Sequence, residues 1–257
     1  MVNTRRKFLQ ITGVGIASSL AGCSESLGTD TSDAVNGESE SRHQPDSSAQ
    51  TADEETFDKP TELVHKVPIP DEPEDHPYPV MGHSTATVTA TLYGGWKCPS
   101  TRDFVLGSLN EIIEEFVQTG EIVVEHRGVA YRDGEPLHGS DGPKLEQSGL
   151  AVWNHSPTSY WEFFEYVFQN QEVVHGWATS QRIKSIADDA GVSDPETIVD
   201  AVEDNTYDSR LDQTVEEADN FGIIRVPRVV INEVVTAPII DINETLSQMR
   251  KAIDENL

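Results

Sequence analysis

Between Thr85 and Tyr131 the chain carries a helical run flanked by two strand-like runs, an order that leaves few ways to fold. TATVTATLY, residues 85–93, alternates: Ala86, Val88, Ala90 and Leu92 face one side, with threonines and Tyr93 on the other. That period of two is a strand. Residues 102–118 place Phe104, Leu106, Leu109, Ile112, Ile113, Phe116 and Val117 at helical spacing, and Gly120 ends the run. EIVVEHRGVAY, residues 121–131, reads as a second strand. Strand, helix and strand in one sheet predict two parallel strands with a right-handed crossover.

The junction of the first strand with the helix reads GGWKCPSTRDF, residues 94–104. A sulfur at a helix N-terminus lies where unpaired backbone N–H groups and the helix dipole stabilise a thiolate. Pro99 suits the first helical turn, where its missing N–H costs nothing. Lys97 and Arg102 are expected to add positive charge near Cys98. The other reading of Cys98 is a buried, inert core thiol. Residues 146–205 then carry four apolar faces at helical period, and GIIRVPRVVIN, residues 222–232, reads as a further strand segment. A short strand near Val234–Pro238 and a helix from about Asn243 to Asn256 close the chain.

This order resembles the DsbA-like branch of the thioredoxin superfamily over residues 80–257. Three stretches carry the resemblance: the strand, Cys-Pro and helix junction at Cys98, the aromatic helix SYWEFFEYVF, and GIIRVPRVVIN. The implied fold is α/β and thioredoxin-like, with a helical insertion at about 140–215 between the N-terminal βαβ unit and a C-terminal cis-proline strand. The resemblance implies that Cys98 and Pro227 are the catalytic residues, with a cis Val226–Pro227 bond facing the sulfur. The Val226 backbone would then pair with a substrate chain as a short strand. Ser100 falls in the variable dipeptide, and Thr101 stands where the family keeps a second cysteine. Arg225, Val226 and Arg228 also depart from the family's Gly, Thr and Thr in the proline segment. Thr101 can donate a hydrogen bond to a thiolate, but it cannot resolve a mixed disulfide.

Other chemistry is poorly supported. His126, His138, His155 and His175 lie on different elements without ligand spacing, so no metal or other cofactor is expected. Trp153, Tyr160, Trp161, Phe163, Phe164 and Phe168 read as core of the helical insertion. Asn243-Glu244-Thr245 is a glycosylation sequon. With 45 acidic against 18 basic residues and a formal charge of −27, nucleic acid is not a partner, because phosphate binding needs clustered Lys and Arg. The acids continue through the helical runs, a balance resembling that of extreme halophiles, whose salt screens the self-repulsion. An ordinary acidic protein is the alternative.

Residues 1–22 read as an address. Arg5-Arg6-Lys7-Phe8-Leu9 resembles a twin-arginine export motif, the apolar run after it is short, and Leu20-Ala21-Gly22-Cys23 matches a lipobox. Cys23 is therefore the expected lipid attachment site, placing the protein on the outer face of the cytoplasmic membrane. Residues 23–79 form an acidic tether, poor in large apolar residues, followed by a proline-rich lead-in. Two functions fit these readings. One is membrane-anchored thiol–disulfide exchange through Cys98 alone, acting on protein or small-molecule thiols and disulfides, with a membrane redox partner. The other is a redox-inert peptide-binding or chaperone-like lipoprotein that keeps the fold. Cys23→Ser protein is expected to leave the membrane fraction for the soluble one; equal partitioning of variant and wild type would remove the lipobox assignment.

Overall fold

The computed structural model describes residues 55–256. The export signal, Cys23 and the first part of the tether lie outside the described residues. A five-stranded sheet runs in the order β1-β3-β2-β6-β7. Its centre is β2 (Val88–Gly94) parallel to β3 (Ile122–Gly128), in register from Val88 opposite Ile122 to Gly94 opposite Gly128. β1 (Val80–Met81) pairs antiparallel with β3, and β6 (Arg228–Ile231) antiparallel with β2. β7 (Val234–Thr236) completes the other edge, and α8 (Ile242–Asn256) closes the chain. This is the thioredoxin-like α/β fold, with five helices inserted between β3 and β6 and a cis Val226–Pro227 bond ahead of β6. The inserted helices are α3 (Asp141–His155), α4 (Tyr160–Asn170), α5 (Ser180–Asp189), α6 (Pro195–Glu203) and α7 (Asp208–Asn220).

Several elements differ from the sequence reading. β2 starts at Val88 because its partner β3 starts at Ile122; the amide of Ala86 instead closes a turn onto the His83 carbonyl at 3.0 Å. The helix expected over 102–118 is broken. α1 (Pro99–Val105) ends before Gly107, and α2 (Leu109–Ile112) runs into a single π-helical turn over Ile113–Val117. Gly107 is a poor helix residue, and a Cβ there would sit 2.8 Å from the Asp103 carbonyl oxygen. The wider turn brings Ile112, Ile113, Phe116 and Val117 all into the core. β3 stops at Gly128, and Tyr131–Arg132 (β4) pairs instead with Glu135–Pro136 (β5) across a two-residue loop.

The boundary expected at residue 80 is also corrected. Residues 55–79 belong to the same folded unit as residues 80–256. Val64 is fully buried, and the buried carboxylate of Glu165 on α4 accepts the backbone N–H groups of Glu62 and His65 at 2.6 and 2.8 Å. The His65 ring lies 2.8 Å from the same carboxylate. Further along, the Trp153 indole donates to the His76 carbonyl at 2.8 Å, and the Pro79 carbonyl accepts the His126 amide at 2.8 Å. A buried acid stripped of its partners, or partners stripped of their acid, is strongly unfavourable. Glu165→Ala is expected to lower equilibrium stability by about 3 kcal/mol in a denaturant titration, with Glu165→Gln intermediate. An unchanged midpoint would mean that this strap is not part of the cooperative unit.

Candidate functional site

The turn from β2 into α1 is held from two sides. The Cys98 amide donates to the Gly95 carbonyl at 2.9 Å, and the Val129 amide donates to the Gly94 carbonyl at 2.7 Å. Trp96 turns inward and is 1% exposed, its ring centroid 5.1 Å from Phe164 and 5.8 Å from Phe168. Its backbone N–H donates to the buried Glu146 carboxyl on α3 at 3.0 Å. Two glycines make room for this arrangement. A Cβ on Gly149 would lie 2.4 Å from the indole, and one on Gly128 would lie 1.4 Å from Glu146 Oε2. Burial drives the Glu146 carboxyl well above the usual carboxylate range, against the pull of the Trp96 amide. Burial also pushes His126, whose Nδ1 lies 3.0 Å from the Tyr160 hydroxyl, down to about 3. Beneath the turn burial thus disfavours the charged forms of both polar groups.

Cys98 is the N-cap of α1, with extended backbone (φ −83°, ψ 121°), and Pro99 opens the helix. Cys98 is 5% exposed, and its sulfur makes a long contact of 3.8 Å to the Val226 carbonyl. Burial raises its pKa, but hydrogen bonding from His138, then from the Thr101 backbone and hydroxyl, together with the His138 charge, outweighs it. The net effect lowers the thiol below its ordinary value. No helix amide reaches the sulfur as a strict capping bond, so the stabilisation comes from several longer contacts. Thr101 is fully buried, and its Oγ1 accepts the Gly95 amide at 3.2 Å. Above the sulfur opens a groove of about 380 Å³, walled by Cys98, Ser100, Leu137, His138, Arg225 and Val226.

Cys98, Ser100, Thr101 and Val226 therefore come together, with exposed Pro99 opening the helix after the sulfur and cis Pro227 next to the carbonyl that meets it. Lys97 does not join them. Its ammonium is buried 3.4 Å from Asp141 Oδ2, bonds the Glu172 carbonyl and lies 5.1 Å above the Trp177 ring. Burial lowers its pKa, against the opposing effect of Asp141. Arg102 is likewise spent on the carbonyls of Phe168 and Gln169, at 2.9 and 3.2 Å. The expected positive neighbours of Cys98 thus fasten the helical insertion, and the neighbour that acts on the sulfur is His138. The β4–β5 hairpin delivers it. Asp133 and Gly134 form the two-residue loop, both at positive φ (51° and 80°), and His138 follows with φ 61°. An Asp-Gly pair between strand residues is a hairpin signal that could have been read earlier. Among the described residues no group of three potential ligands could hold a metal, and no helix is long and apolar enough to cross a membrane.

Known proteins agree with this architecture. Residues 74–255 match the family model described as Thioredoxin. The chain is 24% identical over 176 residues to Disulfide bond formation protein D of Bacillus subtilis, covering 68% of this chain and 77% of that protein. The crystal structure of oxidised BdbD from Bacillus subtilis superposes with a TM-score of 0.63 at 22% identity, covering 77% of this chain and 97% of that one. Chlamydia trachomatis DsbA gives 0.57 at 18% identity, covering 68% and 92%. The chain belongs to the thioredoxin family, and the BdbD and DsbA structures share its fold.

His138 is open to a direct test. Below its pKa a thiol reacts in proportion to its thiolate fraction, so raising the pKa slows alkylation at low pH and leaves the high-pH plateau in place. His138→Ala is therefore expected to move the midpoint of the iodoacetamide rate–pH profile upward, with a several-fold slower rate at about pH 6. An unmoved midpoint would show that His138 has no hold on the sulfur.

Proposed function

We propose that this member of the thioredoxin family carries out thiol–disulfide exchange through the single sulfur of Cys98. The observation that carries the reading is the thiol at the α1 N-terminus, with a lowered pKa, facing the Val226 carbonyl beside an open groove. The names of its relatives, a disulfide bond formation protein and DsbA, support the same chemistry. The Cys98 thiolate attacks one sulfur of a substrate disulfide; the old S–S bond breaks, a Cys98–substrate disulfide forms, and the other sulfur leaves as a thiolate that takes up a proton. With a sulfenic acid the thiol condenses to the same mixed disulfide and releases water. Cys98 is the only cysteine among the described residues, and Cys23 is the expected lipid attachment site, so in this reading a second molecule resolves the adduct. A small thiol, a client thiol or a membrane redox partner fills that role, which makes the protein a reductase, an isomerase or a partner-resolved exchanger.

Pro227 and Val226 shape the site in this reading: the proline keeps the Val226 peptide beside the sulfur, where an extended substrate can pair with it. Lipidation at Cys23 after twin-arginine export would hold the domain outside the cytoplasmic membrane. The competing function, a redox-inert binding lipoprotein, draws its support from the 5% exposure of Cys98.

Thr101→Cys separates the two. The wild type is expected to accumulate mixed disulfides with a model protein substrate on non-reducing gels, and an added small thiol releases them. Thr101→Cys places a second sulfur one helical turn on, within reach of a short bridge, and is expected to shed its clients unaided and gain dithiol oxidase activity. Cys98→Ser loses both behaviours. A wild type that traps nothing, with a Thr101→Cys variant that forms no internal disulfide, would hand the function to the inert binding protein.

A further inference from the structure

The groove beside Cys98 carries the charge opposite to the rest of the molecule. Acidic residues outnumber basic ones 45 to 18 over the chain, yet the groove walls include Arg132, Arg225 and His138 and no carboxylate. Arg228, the first residue of β6, stands just below, its guanidinium donating to the Pro227 carbonyl at 2.7 Å. Partial burial lowers its pKa, and the neighbouring charge of Arg225 lowers it further, as expected of like charges that no acid separates.

Elsewhere several of the scarce cations are neutralised. Arg127, Arg182, Lys184, Arg250 and Lys251 each sit within 4 Å of a carboxylate, as does buried Lys97. Among the described residues no carboxylate pairs with Arg132, Arg225 or Arg228. The Nε of Arg132 is moreover buried without any hydrogen-bond partner. Such an orphaned donor is unfavourable until an acceptor arrives. The groove also has an apolar side, in partly buried Leu137 and in Ile224, which is 71% exposed.

We infer that the groove selects acidic polypeptide segments, binding a cysteine-bearing strand along Val226 with Asp or Glu side chains on Arg225 and Arg132. This rests on the exchange reading above and names its substrate class. The net charge of −27 repels such a segment at long range. At 0.1 M salt, however, screening confines that repulsion to about 10 Å, whereas Arg–carboxylate contacts in the groove act at bonding distance in a fork geometry that suits them. The apolar wall takes the side chains between the acids. A polypeptide, rather than a small anion, fits a groove of about 380 Å³ whose walls include apolar Leu137 and Ile224 beside Val226.

The test uses the full chain and three 2-thiopyridyl mixed disulfides: a cysteine peptide flanked by glutamates, the same peptide flanked by lysines, and thioglycolate as a small anion. Cys98 attacks the peptide sulfur, the bond to the pyridyl sulfur breaks, and 2-thiopyridone departs with the proton that Cys98 gave up, so release is read by absorbance. Each rate is divided by that with uncharged 2,2′-dithiodipyridine, which removes changes in thiol reactivity itself. The acidic peptide is expected to react about tenfold faster than the basic one at 0.1 M salt, and faster than thioglycolate. Arg225→Glu and Arg132→Glu each shrink the ratio between peptides, and the double variant inverts it. Equal rates for the two peptides, or a ratio untouched by both substitutions, would overturn the acidic-client assignment while leaving exchange intact. Preference for thioglycolate over the acidic peptide would overturn the polypeptide in favour of a small anionic thiol. No reaction even with dithiodipyridine would sink the exchange reading itself.

Discussion

Trp96 connects the two halves of this protein. Its indole leaves the end of β2, enters the aromatic face of α4 and packs there against Phe163, Phe164 and Phe168. Burying a side chain of that size contributes on the order of 2–3 kcal/mol, and edge-to-face contacts add to it. Because Cys98 follows two residues later, the placing of the ring also places the sulfur. The Glu146 carboxyl secures the same turn from α3 by accepting the Trp96 amide. Without the helical insertion the β2–α1 turn would have neither its aromatic socket nor its acceptor, so the inserted helices are structural support for the site as much as a cover over it.

Positive charge is sorted by depth. Lys97 and Arg102, the two cations nearest Cys98 along the chain, are turned into the interface with the insertion and satisfied there. Breaking the Lys97–Asp141 pair would strand a buried charge, and such losses are large although the net worth of an intact pair is small. Two cations without a carboxylate partner, Arg132 and Arg225, line the groove, on the β4–β5 hairpin and the segment before β6. Two departures of the proline segment from the family pattern, Arg225 and Arg228, thereby become features of one surface with Arg132, more than ninety positions earlier in the chain.

What could be read in advance follows the range of each interaction. The β2–α1–β3 order and the Cys-Pro junction depend on neighbours within a few residues, and Val229 to Ile231 announce their strand by composition alone. The break at Gly107 was hidden because the apolar spacing on both sides keeps the same helical rhythm through it. The strap over 55–79 was hidden because its polar, proline-rich composition resembles a linker, while its acceptor, Glu165, lies about a hundred residues away. Lys97 was misplaced for a similar reason: adjacency in the chain brought it next to Cys98, and Asp141 took it away. His138 reaches the sulfur only through a hairpin whose two strands have two residues each, too short for alternation to reveal.

The Thr101 hydroxyl, tied to the Gly95 amide at 3.2 Å, changes what this site is able to register. In a paired-sulfur site the helix turn has two chemical resting forms, and hydrogen bonds around it rearrange as the pair closes or opens. An alcohol oxygen does not interconvert with the surrounding thiol pool, so the frame made by Gly95, Thr101 and Val226 has one form. In the proposed exchange, memory of the redox surroundings would be confined to the single atom that frame presents. The protein would carry its state as an attached molecule and not as an internal bond, so its two forms would differ in mass and surface as well as in oxidation level.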